Sequence, residues 1–281
     1  MTGLQVPSMQ IIKRLLIGLL TMTATIAQTQ TNSIDRLNHL QSFTVIEFRR
    51  YTIKAGEREH FARYFESYFP EAIQQVDAIA FGQFFERGDP SRFTWFRGFH
   101  DIDGRATANG ALYGGPVWKE HRDTMNQLML DSDNVLLLHP LNPETGIPVF
   151  PAVDPVYEAK GAQGLVIAQI FAVKPGSVDA FARQAEKVFA QYRAAGAHEA
   201  GVLVTLDVPN NFPKLPIRTD GPFLIWLGVL KDDQAFKTEF EPLANRSAEP
   251  LSATGLLRAT ELVVMDPAPR SRLRWLSEWQ R

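Results

Sequence analysis

The sequence predicts an α+β protein made of two consecutive ferredoxin-like (βαββαβ) halves folded into a dimeric-α/β-barrel-type architecture. Two observations carry this prediction. Segments of alternating hydrophobicity (period two, as in strands) flank helical stripes in the order strand, helix, strand, strand, helix, strand. The same landmarks then return in the same order roughly 120–130 residues later, the mark of an internal duplication.

The elements read as follows. Residues 45–53 alternate, with Ile46 and Phe48 on one face and Val45, Glu47, Arg49 and Tyr51 on the other. A helix over 57–73 stacks Phe61, Phe65, Tyr68 and Ala72 on one stripe. Pro70 is expected to kink or split it, because a proline nitrogen cannot donate to the preceding turn. Residues 78–86 and 92–99 are the next two strands, joined at Gly88-Asp89-Pro90. A helical region over 102–130 and a strand over 135–139 complete the first half, residues 43–140. Residues 141–163, rich in Pro and Gly, read as a linker.

In the second half, 164–267, Lys174-Pro175-Gly176 stands where Lys54-Ala55-Gly56 stood, and Phe181-Ala182-Arg183 matches Phe61-Ala62-Arg63. Ser177 is the expected cap of the helix that follows. The segment from Phe223 to Val229 is matched to Phe93 to Phe99, with Gly228 for Gly98. The loop 208–222 is longer than its counterpart and carries four prolines. Residues 268–281 are expected to form a short amphipathic helix on Leu273, Leu276 and Trp279.

A βαββαβ unit gives a four-stranded antiparallel sheet with both helices on one face. The other face of each sheet is most simply covered by the other half, closing a barrel within one chain. On this reading Ile46 and Phe48 pack under the helices. Glu47, Arg49, Tyr51, Trp95 and Arg97 then point into a cavity between the sheets, with Glu47 as the partner of Arg97.

Composition narrows the function classes. The chain has 281 residues, a formal net charge of −2 and no cysteine. Nucleic-acid binding has no basic patch to rest on, and thiolate chemistry, disulfides and Cys-ligated metals are excluded. No histidine pair has a metal-ligand spacing, so no metal is expected. Asp131-Ser132-Asp133-Asn134 lacks the glycine and distal glutamate of a calcium loop. At the amino terminus Lys13 and Arg14 precede an apolar run over 15–22 and the small-residue pair around Ile26. This is the order of a secretory signal over 1–27, followed by a tether over 28–42. The expectation is an exported protein, periplasmic or secreted, with no membrane span after cleavage.

Three stretches resemble the NIPSNAP family, in a bacterial, exported form. The first is Glu47-Phe48-Arg49-Arg50-Tyr51-Thr52, and the second runs from Phe93 to His100. The third comprises Gly115-Pro116-Val117-Trp118-Lys119-Glu120-His121-Arg122 with the strand after Asn134. The resemblance covers 43–140 well and the second half through pattern alone. It implies the dimeric α+β barrel fold and no single established reaction. The wider superfamily includes cofactor-free monooxygenases and haem-binding proteins, an analogy of fold.

The ligand-binding candidates are Glu47, Arg49, Tyr51, Trp95, Arg97, Trp118 and Arg122; Glu47, Arg49 and Arg97 could equally be a structural ion-pair network. The catalytic candidates are His121 and His100. For His121 the plainer reading is a hydrogen-bonded core histidine, the sharper one a general base or haem ligand. For His100 the plainer reading is turn chemistry, with Asp101 capping the next helix. The leading expectation is a small aromatic or anionic ligand between the two halves, with no cofactor. The alternatives are a cofactor-independent monooxygenase of a quinol-type aromatic, or a structural or partner-binding module. A homodimer is a further open expectation.

Overall fold

The computed structural model describes residues 43–252 and 255–276. The expected signal and tether, residues 1–42, lie outside the described residues. Strands β1 (Val45–Ile53), β2 (Ala78–Glu86), β3 (Arg92–Phe99) and β5 (Val135–Pro140) make the sheet of the first half. Strands β6 (Leu165–Ala172), β7 (His198–Thr205), β8 (Phe223–Leu230) and β9 (Glu261–Pro267) make that of the second. A short strand, β4 (Met129–Asp131), adds to the end of β1. Within each half the strand order is that of a ferredoxin-like sheet. The halves join antiparallel at β2–β9 and β5–β7, so the ring β1–β3–β2–β9–β6–β8–β7–β5 closes on β1. Closure leaves none of these eight strands with an open edge.

Helices α1 (Arg58–Gln74), α2 (Ile102–Gly114) and α3 (Pro116–Leu128) cover the first sheet from outside. The second is covered by α4 (Val178–Ala194) and a helical run that ends in α5 (Glu241–Ser252). That run begins at Asp233–Ala235 and passes through a π turn at Phe236–Phe240. Asp101 caps α2 through Gly104 N at 2.6 Å, whereas Ser177 makes no side-chain cap on α4. The chain breaks between α2 and α3 at Gly115, whose extended backbone precedes Pro116. Among the described residues no helix is long and apolar enough to cross a membrane.

Pro70 does not split α1. The carbonyl it leaves without an amide partner, that of Glu66, accepts from the Arg270 guanidinium, and the Glu66 carboxylate accepts from Arg270 N at 2.8 Å. A side chain from the far end of the chain thus replaces the missing helical bond.

The barrel interior is filled. Ile46, Phe48, Phe81, Phe84, Phe96, Leu136 and Leu138 from the first half meet Val166, Ile170, Leu203, Ile225, Leu227 and Met265 from the second in one buried cluster. Phe48 stacks on Phe96 with centroids 4.5 Å apart. The β2 and β7 strands bulge at matching places, and the extra residues, Phe81 and Ala200, both enter this cluster. The expected inter-sheet cavity is therefore overturned: Ile46 and Phe48 point into the barrel, and Glu47, Arg49, Tyr51, Trp95 and Arg97 lie on the opposite face, under the helices. Both faces of these strands are buried, so the alternation of β1 could not say which face met which layer.

Two further expectations change. Residues 141–163 are more than a linker, since Ile147 is buried in the barrel cluster and Val149 and Phe150 pack against it. Residues 268–276 form no helix. Instead Leu273 inserts into the same cluster, its amide donates to Phe81 O at 2.8 Å, and Arg274 pairs with Glu158 at 2.6 Å. The rest of that expected helix lies outside the described residues.

Phe96→Ala should cost about 3–5 kcal/mol, the range for truncating a buried aromatic without collapse of the site. Urea unfolding followed by circular dichroism measures it. A loss below 1 kcal/mol would mean the barrel interior is not close-packed.

Candidate functional site

The polar residues of the first half converge between the sheet and α1–α3. In the β1–β3 register Glu47 faces Arg97 and Arg49 faces Trp95. The side chains of one strand face alternate, so Glu47, Arg49 and Tyr51 stand in a row beside Phe93, Trp95, Arg97 and Phe99. From above, α2 contributes Arg105, Asn109 and Tyr113, each four residues from the last and so stacked along one side of the helix.

Glu47 is fully buried and sits at the centre. Its Oε2 accepts from Arg49 Nη1 at 2.9 Å and from Arg97 through Nε at 2.9 Å and Nη2 at 2.5 Å. Its Oε1 accepts from Arg105 Nε at 2.7 Å. Burial alone would raise the Glu47 carboxyl. The guanidinium groups of Arg97, Arg49 and Arg105 override that and hold it far below the usual carboxylate range. Arg49 Nε donates to Tyr51 Oη at 2.8 Å, and burial keeps the Tyr51 hydroxyl protonated, its pKa pushed upward. Arg97 and Arg49 remain cationic, because burial is opposed by their acidic and phenolic neighbours. The expected Glu47–Arg97 pair is present, with two more arginines on the same carboxylate.

Beside this network lies a small cavity of about 40 Å³ lined by Tyr51, Phe65, Phe69, Trp95, Arg97, Tyr113, Trp118 and Met125, among others. Arg97 Cζ lies 5.3 Å from the Trp95 ring centroid and 5.9 Å from that of Tyr113. Tyr113 and Trp118 meet edge to face, with centroids 4.7 Å apart, across the α2–α3 break. The loop of residues 206–222 reaches over from the second half. Asn210 and Asn211 accept from Arg105 Nη1 at 3.0 and 2.8 Å, Asn211 donates to Ile102 O, and Phe212 stacks on Tyr113.

A larger groove, about 510 Å³, follows the β5–β7 seam past His139 and Arg218. The Arg218 guanidinium is committed to Asp220 at 2.8 Å and to Asn134.

The candidate residues divide accordingly. Tyr51, Trp95, Arg97 and Trp118 line the cavity, while Glu47 and Arg49 lie behind its wall. Arg122 is apart from it, with its side chain 53% exposed and its Nε 3.5 Å from Asp123. His121 bonds Tyr64 Oη at 2.8 Å and stacks on Tyr68 at 3.7 Å on the outer side of α1. His100 stacks on Phe43 at 4.3 Å and lies 3.4 Å from Asp77. Neither histidine lines the cavity, so neither is placed as its base or as a haem ligand in it. Arg105, Asn109, Tyr113, Asn210 and Asn211 were not anticipated. The spacing of four from Arg105 to Tyr113 was the available signal for the first three.

The second half has no copy of this network. Val45 pairs with Phe99 where Leu165 pairs with Leu230, and counting from there sets Trp226 against Trp95 and Gly228 against Arg97. The glycine-for-glycine matching of the two strands was thus one residue out. On the second sheet Ile167, Gln169 and Phe171 replace Glu47, Arg49 and Tyr51. The Trp226 ring fills the space over Gly228, coming within 2.2 Å of where a β-carbon would stand.

Comparison with known proteins agrees with this division. Residues 46–142 match the NIPSNAP family model. The chain is similar to an uncharacterised NIPSNAP-like domain protein from Burkholderia xenovorans, at 22% identity over 41% of this chain and 98% of that one, with a TM-score of 0.35. Over both halves the chain shares its fold with a candidate monooxygenase from Fusobacterium nucleatum. The identity is 10% over 84% of this chain and 97% of that one, with a TM-score of 0.52. An anthrone oxidase-like protein is similar at 10% identity, over 83% and 96%, with a TM-score of 0.51. No curated protein matches. The fold is that of the dimeric α+β barrels, here closed within one chain.

Glu47→Gln should destabilise the protein by about 3–5 kcal/mol, since it leaves three buried guanidinium groups without their carboxylate. The folded-state pKa of Glu47 is depressed, so its contribution is fully present above the unfolded value near 4.5 and is lost as pH falls below it. Denaturant unfolding between pH 3 and pH 7 should therefore show wild type losing stability below about pH 4.5, with the variant flatter there. Parallel wild-type and variant curves would refute the assignment.

Proposed function

We propose that this protein binds a small aromatic molecule in the NIPSNAP half, in the cavity between the first sheet and α1–α3. One observation carries the reading: a cavity walled by Trp95, Tyr113, Trp118 and Tyr51 opens beside a buried arginine cluster. Aromatic walls with a few fixed polar groups are the usual make-up of a small-molecule site. Export, on the strength of the amino-terminal pattern, belongs to the same reading.

The room is that of a few water molecules, so a ring must displace part of the wall. The wall most free to yield is the α2–α3 break. There Gly114-Gly115-Pro116 separates Tyr113 from Trp118, and both aromatics are only half-buried. A movement of α3 away from α2 would enlarge the cavity without disturbing the sheet.

The alternative as a cofactor-independent monooxygenase asks for a base at the cavity wall, and neither His100 nor His121 lies there. The structural-module alternative draws support from the filled barrel interior, although Trp95 and Trp226 lie under helices and not between the sheets, and it leaves the aromatic cavity beside the arginine cluster without a role.

Isothermal titration with 2-naphthol tests the proposal. Binding should be detectable, and Trp118→Ala should weaken it by about tenfold, the loss of one aromatic contact. If wild-type protein neither takes up heat nor shifts the NMR resonances of Trp95 and Trp118 at millimolar 2-naphthol, the cavity is not a ligand site.

A further inference from the structure

The buried charges around Glu47 do not balance. Three guanidinium groups, Arg49, Arg97 and Arg105, share one carboxylate, and each of the four residues is 0–1% exposed. Their sum, 3 − 1, leaves two positive charges in the layer. Tyr51, kept protonated by burial, does not offset them. Uncompensated buried charge is costly and usually marks a missing partner.

The unused hydrogen-bonding capacity points the same way. Arg97 directs Nε and Nη2 to Glu47, and its Nη1 has no partner among the described residues. Arg105 is held through Nε by Glu47 and through Nη1 by Asn210 and Asn211, and its Nη2 has none. Asn109 lies one turn along α2 from Arg105, fully buried, with neither end of its amide bonded. One turn further stands Tyr113, in the cavity wall. Buried polar groups are rarely left in this state.

We propose that the polar layer behind the Arg97 wall of the cavity is a carboxylate site: an aromatic acid binds with its ring among Trp95, Tyr113 and Trp118 and, once the wall has yielded, its carboxylate on Arg97 Nη1, Arg105 Nη2 and the Asn109 amide. The inference rests on the aromatic-ligand reading above and adds the charge and functional group of the ligand. A planar carboxylate offers two oxygens to two guanidinium N–H groups, the strongest pairing available to them. The second half takes part through its long loop. Asn210 and Asn211 hold Arg105 by one nitrogen and so fix where the other points. They are positioning residues, and they give the 206–222 loop a purpose in a half that has no such site of its own.

The test compares 2-naphthoate with 2-naphthol by isothermal titration on the whole protein. Naphthoate should bind about 30-fold more tightly, as expected for charge-assisted bonds in a buried site. Asn109→Leu removes an amide the fold itself does not bond, so it should keep or raise the melting temperature while cutting the naphthoate preference about tenfold. Asn211→Ala should lower naphthoate affinity by a larger factor than naphthol affinity, and so cut that preference.

Equal binding of the two compounds would overturn the carboxylate site and leave the aromatic pocket standing; binding of neither would remove both. If chloride or nitrate alone raises the melting temperature of wild type but not of Asn109→Leu, and chloride at about 0.5 M abolishes naphthoate binding beyond ordinary screening, the site holds an inorganic anion and the carboxylate assignment falls.

Discussion

A single carboxylate, Glu47, ties together two strands, a helix and, through Arg105, a loop from the other half of the chain. A charge in this position has no water to fall back on. It must be met by its neighbours, and once three arginines meet it, they in turn cannot leave. The network therefore fixes the distance of α2 from the sheet more firmly than the apolar contacts around it. The same rigidity holds Arg97 in place at the cavity wall.

Barrel closure decides which half carries this network. Because the two sheets cover each other's inner faces with Phe48, Phe96, Ile225 and their neighbours, the middle of the barrel is apolar, and the Glu47 network lies in the outer layer. In the second half that layer is packed solid by Trp226, Tyr192, Phe189 and Phe240. Tyr192 there bonds Gln169 at 2.9 Å, and burial lifts its hydroxyl to a pKa of about 12. The first half keeps its arginines and a cavity. One half thus supplies a loop, and the other carries the buried arginine network and the cavity, which is a division that two identical subunits could not make. A second polar group, Arg50 paired with Glu86 and Glu261, closes one end of the barrel and ties the halves across the β2–β9 seam.

Much of the fold was legible. The first three strands run as the alternation indicated, and the two-half order follows from repeated landmarks. The pairing of Glu47 with Arg97 was also readable, since a buried arginine needs an acid and Glu47 stands on the neighbouring strand. What alternation cannot supply is the sign of a face when both are buried. Ile46 and Phe48 would suit the helix-covered face of an open sheet, whereas in a closed barrel the driest surface is the inside. Asn109 and Arg105 were missed because α2 has little apolar periodicity to draw attention to its inner side. The loop asparagines were missed because their contact spans more than a hundred residues.

The bond between Arg270 and the carbonyl freed by Pro70 has a consequence for how the molecule is made. The helix that roofs the cavity is synthesised about 200 residues before the arginine that completes its backbone bonding. At typical synthesis rates of about 5–20 residues per second, roughly 10–40 s separate the two. Strand β9, which covers the edge of β2, arrives only just before that arginine. Through that interval the first half has one helix carbonyl without its arginine and one edge of β2 uncovered. Until β9 arrives, that edge offers its backbone groups to any strand that can pair with it.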